Sequence, residues 1–549
     1  MKPYAPILVI LLLVSTSFVG VSNQVDKLTS EMEEWDEFTR SYFEEHYYPR
    51  PYSSEKHILQ EKEIPKRNHP GDIWNKTYGG SGPEKGFCLD KTRDGGYIIV
   101  GWVNITESHT GDVWLIKTDM NGTKEWDKTF GGPYEDVPHC VRETKDGGFV
   151  IAGYYSNGKN GPYDTWLIKT DENGSMLWNW KYKGPYPETF GEYVIELDDG
   201  YLTMSNTWDF LTSHIWLVRT DLEGKELWNK TVGNADDYSE NIIQTRNKDF
   251  VIVGGTWNNF HNQRVLLIKT DANGDILWRK KYDGKEGCGV FETDDGGFII
   301  SAGSTSDAYI IKTDKNGKQL WFKSYAKYRT YWCLSFSQTS DGGYVVAGNI
   351  LDDYRSDVFI FKIDENGDKF WEVNIGGKER DYAECVIESH DRNFVIVGST
   401  LSYGAGGVDI WLIKMPEIEN QRPNKPSKPV GSTRIKIGTW YNFTTSSTDP
   451  DGDHLYYKWD WGRGSESEWI GPYNGSEPCT TENIWGLLGC CNIRVRAMDE
   501  YGGVGDWSDP LAIIVPKIKT SSFIHNLLSW FLERHPLMFP ILRQLLNLE

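Results

Sequence analysis

Apolar and polar positions alternate along this chain in short bursts, and stretches with a helical period are scarce. The bursts Phe149 to Gly153, Thr165 to Thr170 and Leu177 to Lys181 are typical, each bounded by Gly, Asn or Asp. Runs of about five to seven residues read as β-strands. The D-G-G and D-x-N-G phrases between them read as hairpin turns, in which Gly or Asn supplies the positive φ.

The pattern repeats. D-G-G-[YF]-x-[IV]-x-G is followed by D-x-W-L-I-K-T-D-x-N-G-x-x-x-W, and the basic residue of the I-K pair recurs at Lys117, Lys169, Arg219, Lys269, Lys312, Lys362 and Lys414. A turn aspartate recurs at Asp94, Asp146, Asp199, Asp249, Asp295, Asp341 and Asp391. The closing tryptophan recurs at Trp126, Trp178, Trp228, Trp278, Trp321 and Trp371, and the copy missing at the end stands at the start, as Trp74. The period is 50 to 52 residues, except for 43 between Trp278 and Trp321. Four short strands and their turns fill such a repeat. The expected fold is all-β: a seven-bladed β-propeller of four-stranded blades, closed by an N-terminal strand that puts Trp74 in the same blade as Lys414. A tryptophan repeated in tandem is read as blade packing and the D-x-N-G phrase as a turn, because a calcium loop needs alternating oxygen ligands and a closing Glu.

These phrases resemble those of exported bacterial and archaeal β-propeller repeat proteins. The likeness covers Trp74 to Lys414 and implies the fold and export rather than a particular activity. D-K-N-G-K-Q-L-W at 314 to 321 is similar, more distantly, to the tryptophan-docking repeats of quinoprotein dehydrogenases, but the blade number departs from that family. Residues 417–429 are rich in Asn, Pro and Lys and read as a linker. Residues 430–516 carry Asp-Pro-Asp-Gly-Asp at 449 to 453 and Trp-Asp-Trp-Gly at 459 to 462, and resemble a PKD-like, immunoglobulin-like sandwich, with Cys491 where a Tyr is usual. Asp449, Asp451 and Asp453 are read as an Asp-rich turn, with calcium as the alternative.

The ends differ from the middle. Lys2, the apolar run from Ala5 to Val14 and the small and polar residues to Ser22 make 1–22 a secretory signal. Residues 23–70 are expected to be a helical or linker segment, and 517–549 short amphipathic helices broken by Pro536 and Pro540, which could dock on the protein itself or on a membrane or surface. Seven N-x-S/T sequons, at Asn75, Asn104, Asn121, Asn173, Asn229, Asn442 and Asn474, are compatible with an extracytoplasmic glycoprotein.

Composition narrows the partners. With 79 acidic against 58 basic residues, the net charge of -21 argues against nucleic acid. Cys88, Cys140 and Cys385 each precede a turn aspartate by six residues and are expected to be small core hydrophobes in separate blades that rarely meet. Cys479, Cys490 and Cys491 allow one disulfide. No metal or cofactor motif and no catalytic constellation stand out, so the chain is expected to be no enzyme and to need no cofactor. Strand alternation puts the long, aromatic loops on one face, and Trp102, Tyr154, Tyr186, Trp208, Trp257, Tyr331, Trp332, Tyr354 and Tyr382 are its candidate ligand contacts. The function expected is recognition or adhesion at the cell surface, toward a glycan or a surface protein. A polysaccharide lyase or hydrolase and a structural surface-layer component are the alternatives.

Overall fold

A computed structural model of the chain describes residues 74–104, 111–158, 161–209, 212–257, 263–303, 307–325, 329–330, 335–352, 355–486 and 489–516. Among them every regular element is a strand. The expectation of helices is therefore not borne out; the segments that carried it, 23–70 and 517–549, lie outside the described residues, as does 1–22.

Strands adjacent in sequence pair into antiparallel meanders. Glu84–Lys91, Tyr97–Val103, Asp112–Thr118 and Lys124–Phe130 form one sheet, and Asp136–Glu143, Phe149–Ser156, Tyr163–Thr170 and Met176–Tyr182 the next. The sheet from Glu188–Leu197 to Glu226–Val232 follows. Two further meanders, Asp237–Gln244 to Ile276–Tyr282 and Glu286–Glu292 to Gln319–Ser324, are joined by a single Gly255 to Glu286 bridge. Another is built on Tyr344–Asp352, Arg355–Ile363 and Lys369–Ile375. The last combines Asp381–Glu388, Phe394–Thr400 and Asp409–Met415 with Trp74–Tyr78 from the other end, in a register that sets Trp74 opposite Lys414. The first strands of successive meanders touch in cyclic order, and Asp381–Glu388 touches Glu84–Lys91. They thus line a common axis, as in a β-propeller.

Two repeated devices hold the ring. In the first, the outer-strand tryptophan of one sheet covers the D-x-N-G glycine of the next: a Cβ on Gly122 would lie 2.6 Å from the Trp74 ring, and one on Gly174 2.5 Å from Trp126. Trp178, Trp228, Trp278 and Trp321 stand in the same relation to Gly224, Gly274, Gly317 and Gly367. Tyrosine hydroxyls reinforce it by donating to the same turns, Tyr78 to Gly122 O at 2.6 Å and Tyr282 to Gly317 O at 2.7 Å. Within each turn the aspartate caps itself; Asp171 Oδ1 accepts from Asn173 N and Ser175 N at 2.9 and 2.7 Å.

The second device is a buried cation inside each sheet. Lys117 meets Asp94 at 2.7 Å, Lys169 meets Asp146 at 3.0 Å, Lys312 meets Asp295 at 2.9 Å and Lys414 meets Asp391 at 2.7 Å, with Arg219 on Asp199 as the variant. The ammonium is buried while its carboxylate reaches solvent, so the turn anchors the third strand without isolating an ion pair from water.

Beyond Met415 two smaller sheets enclose a separate core. Val430–Gly431, Trp440–Thr445 and Cys479–Ile484 form one, and Ile470–Tyr473, Leu455–Asp460, Gly489–Asp499 and Leu511–Val515 the other. Between them lie Phe443, Tyr457, Trp459, Trp461 and Val495, with Trp459 and Trp461 stacked at 5.1 Å. Arg422 and Asn420 tie this part to the preceding sheet through Asp364 at 3.0 Å and Phe370 O at 2.8 Å. Cys479, Cys490 and Cys491 are free thiols, so the disulfide they allowed is absent.

The packing device makes a paired prediction. Gly147 and Gly174 have φ of 86° and 76°, but a Cβ on Gly147 meets nothing. Gly147→Ala should cost about 1 kcal/mol from φ alone. Gly174→Ala should cost about 3 kcal/mol, because it also displaces Trp126. Urea unfolding of the two variants measures the difference; equal losses would show that the tryptophan contact contributes nothing.

Candidate functional site

The axis is where the ring gathers chemistry. In five of the inner strands the pairing slips by one residue, at Phe87, His139, Glu240, Cys288 and Glu384. A bulge of this kind bends the strand and re-aims the extra side chain. The same place in the third meander is held by Glu192.

The side chains so delivered interact across sheets. His139 Nδ1 lies 3.0 Å from Glu192 Oε2, and Asn206 Nδ2 donates to Glu192 Oε1 at 3.2 Å and to Ser239 O at 2.8 Å. Glu240 and Glu286 are hydrogen-bonded carboxyls, with Tyr238 bonded to Glu286. Burial and the neighbouring Glu286 hold Glu240 well above the usual carboxylate range, and burial raises Glu286 too, so this pair retains a proton that separate carboxylates would release. Glu384 is in contact with water yet deep among protein atoms; burial lifts it to about 7 against the pull of Lys85 and His139. Burial likewise lowers Lys85 to about 8, opposed by Glu384 and Glu135. Burial disfavours the His139 imidazolium, but Glu192 outweighs it and raises the ring.

An aromatic wall flanks these charges. Tyr154 packs edge-on against Tyr163 and Phe190 at 5.1 and 5.0 Å and lies 5.6 Å from His139, and Tyr163 donates to Glu135 at 3.3 Å. The arrangement can accept hydrogen bonds, hold an amine or hydroxyls, and stack an apolar ring face.

The nine aromatics expected on a loop face divide. Trp102 and Tyr154 are 3% and 5% exposed, so their expected place as exposed loop contacts is corrected: the ends of their strands fold inward, and Trp102 fills the space beside Gly111. Tyr186 is half-buried and stacks on His214 at 4.7 Å. Trp257, also half-buried, lies 6.0 Å from Tyr238, and Tyr382 stands half-buried two residues before Glu384. Trp208 is 37% exposed at the end of its strand. Tyr331, Trp332 and Tyr354 lie outside the residues whose side chains are described. Tyr154, Trp257 and Tyr382 thus adjoin the axial cluster, which the sequence reading missed. Its signal was an offset: Phe87, His139, Glu192, Cys288 and Glu384 each stand seven residues before a turn aspartate.

Cys88 and Cys140 are buried in an apolar cluster between sheets and Cys385 packs against it, as expected of small core hydrophobes, but Cys88 and Cys385 are brought together across sheets, each Sγ lying 3.8 Å from Leu89 O. Among the described residues, the acidic or thiol group compact enough to hold a metal ion is Asp449, Asp451 and Asp453, whose ligand atoms lie within 4.8 Å of one another. Asp449 Oδ1 accepts from Asp451 N at 2.8 Å, which is the geometry of an Asx turn.

No family model and no curated protein matches the chain. Among solved structures it is similar to the PKD domain of an M14-like peptidase from a Thermoplasmatales archaeon, at 38% identity over 18% of this chain and 99% of that domain, with a TM-score of 0.17. It is also similar to the Dos1 propeller, at 11% identity over 62% of this chain and 94% of that one, TM-score 0.40. The extracellular domain of the one-component system BT4673 of B. thetaiotaomicron matches at 11% identity over 83% of this chain and 60% of its own length, TM-score 0.38. The latter two are β-propellers and the first is a PKD domain.

The titrating groups predict an optimum of stability. Asp295 is held at about 2 by Thr293, against burial, with Lys312 adding to the effect, and Asp94 ends at about 2 because Lys117 and Thr92 outweigh burial. Such carboxylates stabilise the fold above their unfolded value of about 4, and this is lost as pH falls toward 2. Glu84, Asp136 and Glu384, raised by burial to about 7, act oppositely: their contribution is complete below about 4 and is lost as pH rises through 7. Calorimetric melting should peak between about pH 4 and 5. Glu384→Gln should flatten the decline toward neutrality; an unaltered decline would reject the assignment of Glu384.

Proposed function

We propose that the chain is a non-catalytic, extracytoplasmic recognition protein that binds a glycan, or the amine-bearing surface of another protein, at the mouth of its axial channel. In this reading residues 71–416 are a seven-bladed propeller, 417–429 a linker and 430–516 an immunoglobulin-like, PKD-like sandwich. Residues 1–22 direct export, and 517–549 hold the protein to a membrane or surface. The observation that carries it is the convergence of Glu192, Glu240, Glu286, Glu384, Lys85 and His139 on one axis beside an aromatic wall. Hydroxyls and amines are what such a mixed set of acceptors and donors can satisfy, and stacking on Trp257 or Tyr382 would orient a sugar ring. The excess of acidic charge disfavours nucleic acid.

A second reading has its own support. The proton-sharing Glu240 and Glu286 pair and the raised Glu384 are what general acid catalysis on a polysaccharide would use.

A glycan array and a polysaccharide pull-down with the full chain, with the same samples assayed for cleavage, separate the two. Binding without product is expected. Glu240→Gln combined with Trp257→Ala should weaken it by about tenfold or more, roughly the loss of one charge-assisted hydrogen bond, while the melting temperature stays within a few degrees. Cleaved product would establish the enzyme reading, and undiminished binding by the double variant would reject the channel as the site.

A further inference from the structure

Near the acidic groups, the three cysteines that the repeat places at one offset form a staircase around the axis. Cys385 Sγ reaches Leu89 O at 3.8 Å, Cys88 Sγ reaches Val141 O at 3.9 Å, and Cys140 Sγ reaches Val194 O at 3.8 Å. Each thiol therefore touches the inner strand of the next sheet, and Cys88 Sγ also reaches Leu89 O at 3.8 Å, so that Cys88 and Cys385 lean on one carbonyl. The guanidinium of Arg142 sits on the central thiol, Nη1 to Sγ 3.2 Å, while its other nitrogen contacts the Tyr193 hydroxyl. A soft metal ion would have to sit against this fixed cation. The positive charge instead suits a sulfur that carries negative charge and attacks as a nucleophile.

We infer that Cys88 is an oxidisable nucleophile that forms a disulfide with Cys385 when hydrogen peroxide reaches it, joining the first and last sheets of the ring covalently. Cys385 is the partner because it is half-buried and its Sγ shares the Leu89 carbonyl with Cys88, whereas Cys140 is fully buried and its Sγ turns to Val194 O. Cys88 sulfur attacks one peroxide oxygen; the S–O bond forms, the O–O bond breaks, and the departing hydroxide takes the Cys88 proton as water. Cys385 then gives up its proton and attacks the Cys88 sulfenic sulfur, and the second hydroxide leaves with that proton as water. Two thiols lose two electrons and one peroxide becomes two waters. The neighbouring thiols of Cys140 and Cys385 lead the lowering of the Cys88 proton affinity, against burial and with Arg142 contributing, which favours the attacking thiolate.

The same joint is otherwise closed by non-covalent contacts: pairing of the Trp74–Tyr78 and Asp409–Met415 strands, side-chain packing, and hydrogen bonds such as Glu84 N to Val408 O at 2.6 Å. A disulfide here converts a closure that can open into one that cannot without reduction.

The full chain, reduced and freed of reductant, would be treated with hydrogen peroxide, alkylated and digested without reductant for mass spectrometry. A Cys88 to Cys385 linked peptide is expected, with melting raised by about 5 °C and restored by a thiol reductant. Arg142→Leu should slow linkage at least tenfold. Should that variant not fold, the unaltered chain supplies the same information, because iodoacetamide at about pH 6 should label Cys88 before Cys140. Linkage to Cys140 instead, thiols that stay free under peroxide, or equal labelling of Cys88 and Cys140 would each overturn the inference.

Discussion

The ring depends on a tryptophan packed against a glycine. Six of the seven outer-strand tryptophans, Trp74 through Trp321, cover the turn glycine of the following sheet, and that glycine serves twice: it adopts φ near 75°, which closes the hairpin, and it lacks the Cβ that would hold the indole away. Because the contact runs from one sheet to the next, no sheet completes its packing alone. Trp74 is the clearest case. It belongs to the last sheet by pairing with Lys414 and covers Gly122 of the first, so a single residue couples strand closure to side-chain packing at the point where a ring is most exposed to opening.

The buried lysines extend the same logic inward. Lys169 is 2% exposed and finds Asp146 at 3.0 Å, with Thr170 O at 2.8 Å taking a second proton. Burying an ammonium is costly unless it is paired and bonded, and here both conditions are met by residues adjacent in the repeat. The pairing holds the D-G-G turn against the third strand. With turns and outer strands pinned, the inner strands can carry irregularities that a lone sheet would not tolerate, and these are the bulges that project His139, Glu240 and Glu384 toward the axis.

Much of this was legible before any coordinates. The repeat offsets placed Trp74 with Lys414, marked the turns, and identified Trp126 and its equivalents as packing residues, because each of these follows from local periodicity and from what Gly, Asn and Asp do in a hairpin. The axial cluster was not legible in that way. A bulge adds one residue without disturbing the apolar rhythm on either side, so His139 and Glu240 look like ordinary outward positions. The cysteines were read correctly as core residues, but their meeting was hidden for a related reason: equal offsets mean separate blades when a repeat is viewed as a line, but neighbouring positions when the line closes into a ring, and only the second view brings Cys88 and Cys385 to one carbonyl. Trp102 and Tyr154 were misplaced because, although they stand near the ends of their strands, burial removes more of their apolar surface from water than a loop contact would.

The axial polar groups also bear on why a ring suits this site. Four carboxyls, a lysine and a histidine at one centre would strain a conventional core, since each charge brought away from water needs a partner and the like charges of Glu240 and Glu286 need a shared proton. Around an axis these groups belong to inner strands, while the apolar clusters that stabilise the fold lie between sheets, as with Val251, Val253, Leu267, Phe298 and Ile300. The separation lets the centre vary in chemistry from sheet to sheet, as Phe87, His139, Glu192 and Glu384 do at one offset, while the tryptophans and turn glycines stay the same. Variation confined to the axis against a constant periphery is what a recognition site on a repeated scaffold requires.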